Sequence, residues 1–551
     1  MTRSNLLRAA GLGVAALLVS GLPVLAADNA SPAPQIGQAV RFAVSPPLRE
    51  LAKLPRQEQY GFHLAYPPRR VPKPQAGLVV DTAQHPPATT PSSNYTVGLS
   101  WLGVGNGFGS YTVPDAPTDD NMGVGDTQIV QWVNVSFAVF DKSTGATLAG
   151  PIEGNTLWSA LGGACANDND GDIIAQWDKK NHRWLLSQPV FSGPPYYSCI
   201  AVSTSPDALG SYYLYQYPQG SNFPDYPKFG VWSNGYYQSQ NMFQGNNFLG
   251  PKLCAYQSSK LLVGDNTALQ ICFQLSPGDG GAIPADIDSS VPPPGNEDEF
   301  FSTIWDPTHM SVYSLHADYT NPNNSFVTGN NGSQLITVPA FTPACNGGYG
   351  GDCVPQKGVS DQLEVLGDRA LYRIAYWDDT PSPNVTATPP IPPPFQHWFV
   401  LTDVQANGGN QAPRWYEFIS EQKAVVPTQL SLFQSGTWAP DSSNNRWFGS
   451  IARDKVQNVL LGYSISSSAI YPSIAIAGRE YTDPLGTFEP EVMVLNGTGS
   501  QIGTADRWGD YSAMRIDADG CTFWYTTQFY MVTAQFDWST QVFNAKFANC
   551  H

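Results

Sequence analysis

Six acidic residues, Asp120, Asp172, Asp225, Glu299, Asp361 and Asp510, stand at or just ahead of short apolar runs. Acids placed alike at the start of like strands converge wherever those strands converge. Carboxylates gathered in that way need a cation, a basic partner or raised pKa values. Three chemistries are open to them. Each acid can cap the backbone N–H groups of its own turn. "DNDGD" sets Asp168, Asp170 and Asp172 at alternate positions with Gly171 for a sharp turn, a fragment of a calcium loop that lacks the EF-hand glutamate. Two carboxylates across a pocket can also attack a glycosidic bond as acid and as base or nucleophile. Asp225, Asp510, Asp361 and Glu417 are the candidates for that work.

Arg-Trp pairs recur at Arg183-Trp184, Arg414-Trp415, Arg446-Trp447 and Arg507-Trp508 in a chain with only 28 Lys and Arg. Arginine grips carboxylates bidentately, and Trp and Tyr present flat faces with a polar tip. Arg414, Arg446, Arg507, Trp447, Trp508, Tyr226 and Tyr511 are therefore the expected substrate-binding positions, and an acidic sugar would suit them. The competing reading makes each Trp a wedge between sheets and each Arg the partner of a nearby Asp; for Trp184 it is the preferred one. His182 and His397 stand apart from other candidate groups. No GxSxG elbow, P-loop, helix-opening GxGxxG or CxxCH occurs.

The elements that must position these residues are strands. Charged residues make up 13 % of the chain, about half the usual ~25 %, while aromatics reach 12 % and Gly and Pro number 51 and 47. Short Val/Ile/Tyr/Trp/Phe/Thr runs cut by Gly, Asn and Asp turns give an all-β chain. Strand-turn-strand units begin near residues 120, 172, 225, 299, 361, 447 and 510. Periods near 50, with longer intervals taken up by loops, predict a single β-propeller of seven four-stranded blades, with six or eight as alternatives and paired β-sandwiches as the rival architecture. "YTVGLSWLGV" near residue 95 is expected to pair with "QVFNAKFANC" and close the ring.

Residues 1–26 read as a Sec-type signal peptide, residues 27–94 as a Pro-rich, largely extended leader or tether, and residues 95–551 as the propeller. Eight cysteines in an exported chain predict disulfides, simplest as the neighbours Cys165–Cys199, Cys254–Cys272, Cys345–Cys353 and Cys521–Cys550; scattered histidines and the lack of CxxC argue against zinc. Residues 28–95 carry seven Lys/Arg against four Asp/Glu, and the remainder 19 against 41. So acidic a body repels phosphate backbones and excludes nucleic acid as a partner. No stretch after the leader is long and apolar enough for a membrane span, and a monomer is expected.

Five stretches also resemble motifs of a group of large exported bacterial proteins: Gly171 to Gln188, Cys199 to Tyr217, Phe223 to Trp232 ("FPDYPKFGVW"), Arg446 to Ile474 ("RWFGSIARD…") and Arg507 to Asp517 ("RWGDYSAMRID"). The resemblance spans roughly residues 96–550. It implies a propeller of sialidase-like appearance and brings no activity with it. Arg414, Arg446, Arg507, Glu417 and Tyr463 could be cast in sialidase roles, yet "DADGCTFW" (Asp517 to Trp524) is only a loose relative of the Asp-box turn. The expected function is a secreted or periplasmic propeller that binds extracellular carbohydrate at an acidic mouth, with cleavage as hydrolase or lyase left open. The alternative is a non-catalytic surface or adhesion module stabilised by Ca2+; no organic cofactor is expected.

Overall fold

The computed structural model describes residues 31–55, 69–74, 76–88, 93–114, 116–293, 295, 297–329, 334–379, 396–420, 430–503 and 506–551. The chain is all-β, and its sheets are antiparallel meanders, each opened by a strand we number in chain order: β1 (Asn121–Val124), β2 (Ile174–Asp178), β3 (Phe223–Val231), β4 (Ile283–Ile287), β5 (Ile374–Asp378), β6 (Asn445–Arg453) and β7 (Ala513–Ile516). These opening strands touch one another in sequence order, and β7 touches β1, so they form a closed ring. The β4 and β5 meanders are further joined by a parallel pairing, Ala285 opposite Ile374. The strand Tyr95–Leu102 pairs with Trp538–Phe547 at the outer edge of the β7 sheet, as expected. Strands are buried on both faces, as in Gln411–Ser420, because each sheet is sandwiched by its neighbours.

One backbone feature repeats at the entrance to every opening strand. Asp119, Asp172, Tyr226, Gly281, Tyr372, Phe448 and Asp510 all have positive φ, between 48° and 79°. Tyr226 and Phe448 lie inside β3 and β6, where the pairing register shifts. A left-handed conformation costs an aromatic residue on the order of 1–3 kcal/mol, so something must hold it. For three of the seven, the amide donates to a carboxylate of the preceding sheet or its entrance: Asp172 N to Asp119 (3.3 Å), Tyr226 N to Asp172 (3.0 Å) and Phe448 N to Asp403 (2.9 Å). The acids thus stitch one sheet to the next.

Five of the expected starts coincide with these entrances. Glu299 and Asp361 do not. Glu299 opens the second strand of the β4 meander, Glu299–Asp306, and Asp361 precedes Gln362–Val365 in a separate hairpin with Gly351–Pro355. The reason is local: β4 and β5 carry Gly281 and Tyr372 at the left-handed position, so no acid marks them.

The described parts of the Pro-rich segment pack on the body. Gln35–Gln38 adds an edge strand to the β3 sheet and Arg41–Val44 one to the β2 sheet. Leu48 and Leu51 are buried, whereas Leu54 and Leu78 to Val80 are exposed. Further on, Asp81 is buried in an ion pair with Arg414 (2.6 Å).

Four disulfides join the expected neighbours, Cys165–Cys199, Cys254–Cys272, Cys345–Cys353 and Cys521–Cys550. The last ties the turn ahead of Thr522–Tyr530 to the end of the chain, beside the closing strand pair. Replacing Cys521 and Cys550 by Ser is expected to remove about 2–5 kcal/mol of stability, read as a lower denaturation midpoint under oxidising conditions and no difference from wild type after full reduction. Among the described residues no helix is long and apolar enough to cross a membrane.

Candidate functional site

Ring acids meet where the opening strands begin. Asp119, Asp172 and Asp510 occupy left-handed positions, while Asp225 stands one residue ahead of Tyr226, so the two Asp-Tyr stretches of the sequence are out of phase by one residue. Burial pushes Asp119 well above the carboxylate range, and Asp172 and Asp510 add like charge. Burial, then Asp225, lifts Asp172 to about 7. Burial also raises Asp225, against the pull of Arg369 and Arg69. Arg507 clasps both oxygens of Asp510 (2.6 and 2.5 Å) and faces Glu364 at 2.7 Å; burial brings Glu364 to about 7. Arg369 lies 2.8 Å from Asp368 and 4.0 Å from Asp225.

Below this layer Lys228 is fully buried. Its Nζ sits 3.6 Å from the ring centroids of both Tyr226 and Tyr511 and donates to the Pro227 carbonyl at 3.1 Å. Burial lowers Lys228 to about 8, although Asp172 pulls the other way. The ring interior is then crossed by ion pairs, Arg515 to Asp286 and Arg373 to Asp288 (2.6 Å). Buried side chains and ion pairs thus line the ring interior.

The rim has an aromatic component. Phe223 and Asp225 are two apart on β3 and face the same side. Phe223 lies 4.6 Å from Phe191 and 5.5 Å from Tyr196, and all three rings are half-buried. Asp225 keeps 20 % of its side chain exposed. A flat apolar surface beside a partly exposed carboxylate can stack a ring and accept its hydroxyl or ammonium protons. Sequence reading passed over Phe191, Tyr196 and Phe223, although Phe-x-Asp within a strand was the available signal.

The structure redistributes the other expected site residues. Arg414 is wholly buried on Asp81, Thr437 and the Pro339 carbonyl. Arg446 is consumed by Glu491 and Asp441, and Tyr463 donates to the same Glu491 (2.7 Å). Trp447 and Trp508 are fully buried with ring centroids 5.6 Å apart. None of the four meets solvent, which corrects their assignment to substrate binding: the wedge-and-pair reading holds for each. Tyr511 and Tyr226 lie under the mouth, also buried. Glu417 is held by His397 (2.6 Å) in a separate network, and the Asp361 carboxylate accepts a long bond from Gly503 N (3.3 Å), away from Asp225 and Asp510.

The three acids of the DNDGD loop are each engaged by protein donors. Asp168 accepts from the Ser192 hydroxyl, Asp170 from Phe191 N (2.7 Å) and Asp172 from Tyr226 N (3.0 Å). Asp168 and Asp170 thus hold the Phe191–Ser192 turn while Asp172 holds the entrance to β3, and among the described residues no cluster of three His, Cys, Asp or Glu has metal-site geometry.

No family model and no curated protein matches the chain. Solved structures give slight likenesses. An endo-arabinase from Bacteroides thetaiotaomicron aligns at 12 % identity over 55 % of this chain and 92 % of its own, with a TM-score of 0.25. An alpha-L-arabinanase from Penicillium chrysogenum aligns at 8 % identity over 70 % and 99 %, with a TM-score of 0.34. The N-terminal domain of Nup159 aligns at 8 % over 86 % and 100 %, with a TM-score of 0.32. Likenesses so slight decide nothing about what the mouth holds, which rests on Phe223, Asp225 and their neighbours.

Proposed function

We propose that the chain is a seven-bladed β-propeller of the secreted or periplasmic space that binds carbohydrate at the mouth of its ring. The supporting observation is the pairing of Phe223 and Asp225 on one face of β3, with Phe191 and Tyr196 extending the platform. Sugar rings offer apolar C–H faces to such rings and hydroxyls to such a carboxylate. The four disulfides suit an oxidising compartment, and residues 1–26 supply the export signal. With Arg414 and Arg446 withdrawn into ion pairs and Arg507 committed to Asp510, the mouth favours a neutral or basic glycan over an acidic one. Binding without cleavage is the reading favoured by Asp510, whose two oxygens Arg507 occupies.

Isothermal titration of the mature protein against neutral, acidic and basic oligosaccharides tests this. Phe223→Ala and Asp225→Ala are each expected to weaken binding about tenfold with the thermal midpoint little changed. Titration heats that neither substitution alters, or a panel without a single binder, would remove the carbohydrate reading.

A further inference from the structure

The mouth is already occupied by the chain itself. Residues 69–73, "RRVPK", form a strap from the basic N-terminal segment, anchored partly on mouth residues and partly on the sheets and hairpin beside them. The Arg69 guanidinium lies 3.7 Å from the centroid of Phe223 and 5.8 Å from that of Phe243. Its own carbonyl accepts from Arg369. Arg70 reaches Glu364 (3.3 Å) and the Val365 carbonyl (3.2 Å). Val71, only 2 % exposed, packs on Phe243 and Phe248 and donates its amide to Asp368 (2.8 Å). Lys73 donates to the Gly280 carbonyl at 3.0 Å.

What fills a seat describes what the seat accepts. The Arg69 side chain supplies a positive charge that acts on Asp225 and a flat surface on Phe223. An amino sugar offers the same two features: an ammonium group and the C–H face of its ring. We propose that the mouth binds a cationic amino sugar in the seat Arg69 now fills, with Arg69 as its internal competitor; this rests on the carbohydrate reading above. A free basic peptide is the weaker candidate. It would have to replace the whole strap, backbone bonds included, against a tethered segment at high effective concentration. An amino sugar need displace only one side chain.

Arg69→Ala leaves the strap's backbone bonds and the Val71 contact in place, so its folding is checked by an unchanged thermal midpoint. Titrations would use the glucosamine tetramer, its fully N-acetylated counterpart, a neutral glucose tetramer, and a synthetic peptide of residues 66–76. The expected result is that the glucosamine tetramer binds wild type, binds Arg69→Ala about tenfold more tightly and Arg69→Lys like wild type, and exceeds both neutral sugars. Carbodiimide labelling of Asp225, which needs no ligand, is expected to rise severalfold in Arg69→Ala. Equal or tighter binding of the N-acetylated or glucose tetramer would overturn the amino-sugar assignment while leaving the carbohydrate reading intact. Tighter binding of the peptide would overturn it in favour of a basic protein segment. Unchanged Asp225 labelling would show that Arg69 covers nothing, and silence from every sugar would end both readings together.

Discussion

Arg369→Met is expected to cost about 3–5 kcal/mol of stability, the penalty for stranding a buried charge. Arg369 is 2 % exposed and bonds Asp368 through Nε (2.8 Å) and Nη2 (3.3 Å), while its guanidinium lies 4.8 Å from the Tyr226 ring. Burial alone would drive Asp368 up; Arg369 holds it below the ordinary carboxylate value instead. Without the arginine, Asp368 keeps the Val71 amide but loses its counter-ion, and Asp225 loses a cation partner at 4.0 Å. The double variant Arg369→Met/Asp368→Leu should recover much of the loss, since replacing both members of a buried pair by apolar groups is often near neutral. Arg369→Lys should not, because a point charge cannot fork to Asp368 and the Arg69 carbonyl at once. Urea denaturation of the four proteins measures this; a single variant within 1 kcal/mol of wild type would mean that Arg369 does not hold the mouth together.

His397→Leu should have a comparable effect, with a pH signature of its own. His397 is fully buried between Glu417 (2.6 Å at Nδ1) and Asp379 (2.9 Å at Nε2), and Arg453 also reaches Asp379 (2.8 Å). Both ring nitrogens face carboxylates, so both must donate and the imidazole is charged. Burial and Arg453 push its pKa down, but the two carboxylates more than offset them and the net shift is upward. A histidine raised on folding contributes stability that is complete below its unfolded pKa of ~6.5 and fades as pH rises through the folded value. Glu417 and Asp379 are lowered despite burial, by His397 and Arg453, so their contribution is present above pH ~4 and fades as pH falls through their folded values. Stability should therefore decline on the alkaline side as pH rises above ~6.5. His397→Leu should cost about 3–5 kcal/mol at pH 6 and flatten that alkaline limb. Denaturation midpoints at unit pH steps decide the matter: parallel curves for the two proteins would exclude His397 as the titrating group.

How far the sequence could be read depended on what each residue type had to do. Entrances held by Asp172 or Asp510 could be located because an acid tolerates the left-handed conformation and bonds nearby amides. The entrances at Gly281 and Tyr372 were invisible, since nothing in their side chains announces the turn. Cysteine pairing was legible because neighbouring strands bring neighbouring cysteines together. The Arg-Trp pairs misled for a physical reason: a strand buried on both faces offers Trp447 and Arg446 no solvent side, and only the packing of adjacent sheets reveals this. The His397 network joins residues from three stretches, Asp379, His397 to Glu417, and Arg453, with no local pattern to betray it.

The pairing of Tyr95–Leu102 with Trp538–Phe547 has a kinetic consequence. Leu99 N bonds the Asn544 side chain across a sequence separation of 445. Closing so long a loop costs about 5 kcal/mol of chain entropy, and that cost falls due before the last sheet can reward it. Assembly should thus run sheet by sheet and stall at an open, horseshoe-like stage until the final strand is available. The reverse process meets the same seam: once latched, the molecule must break its outermost strand pair before any sheet can peel away. Slow maturation and long survival of the folded state would then share a single origin in the latch.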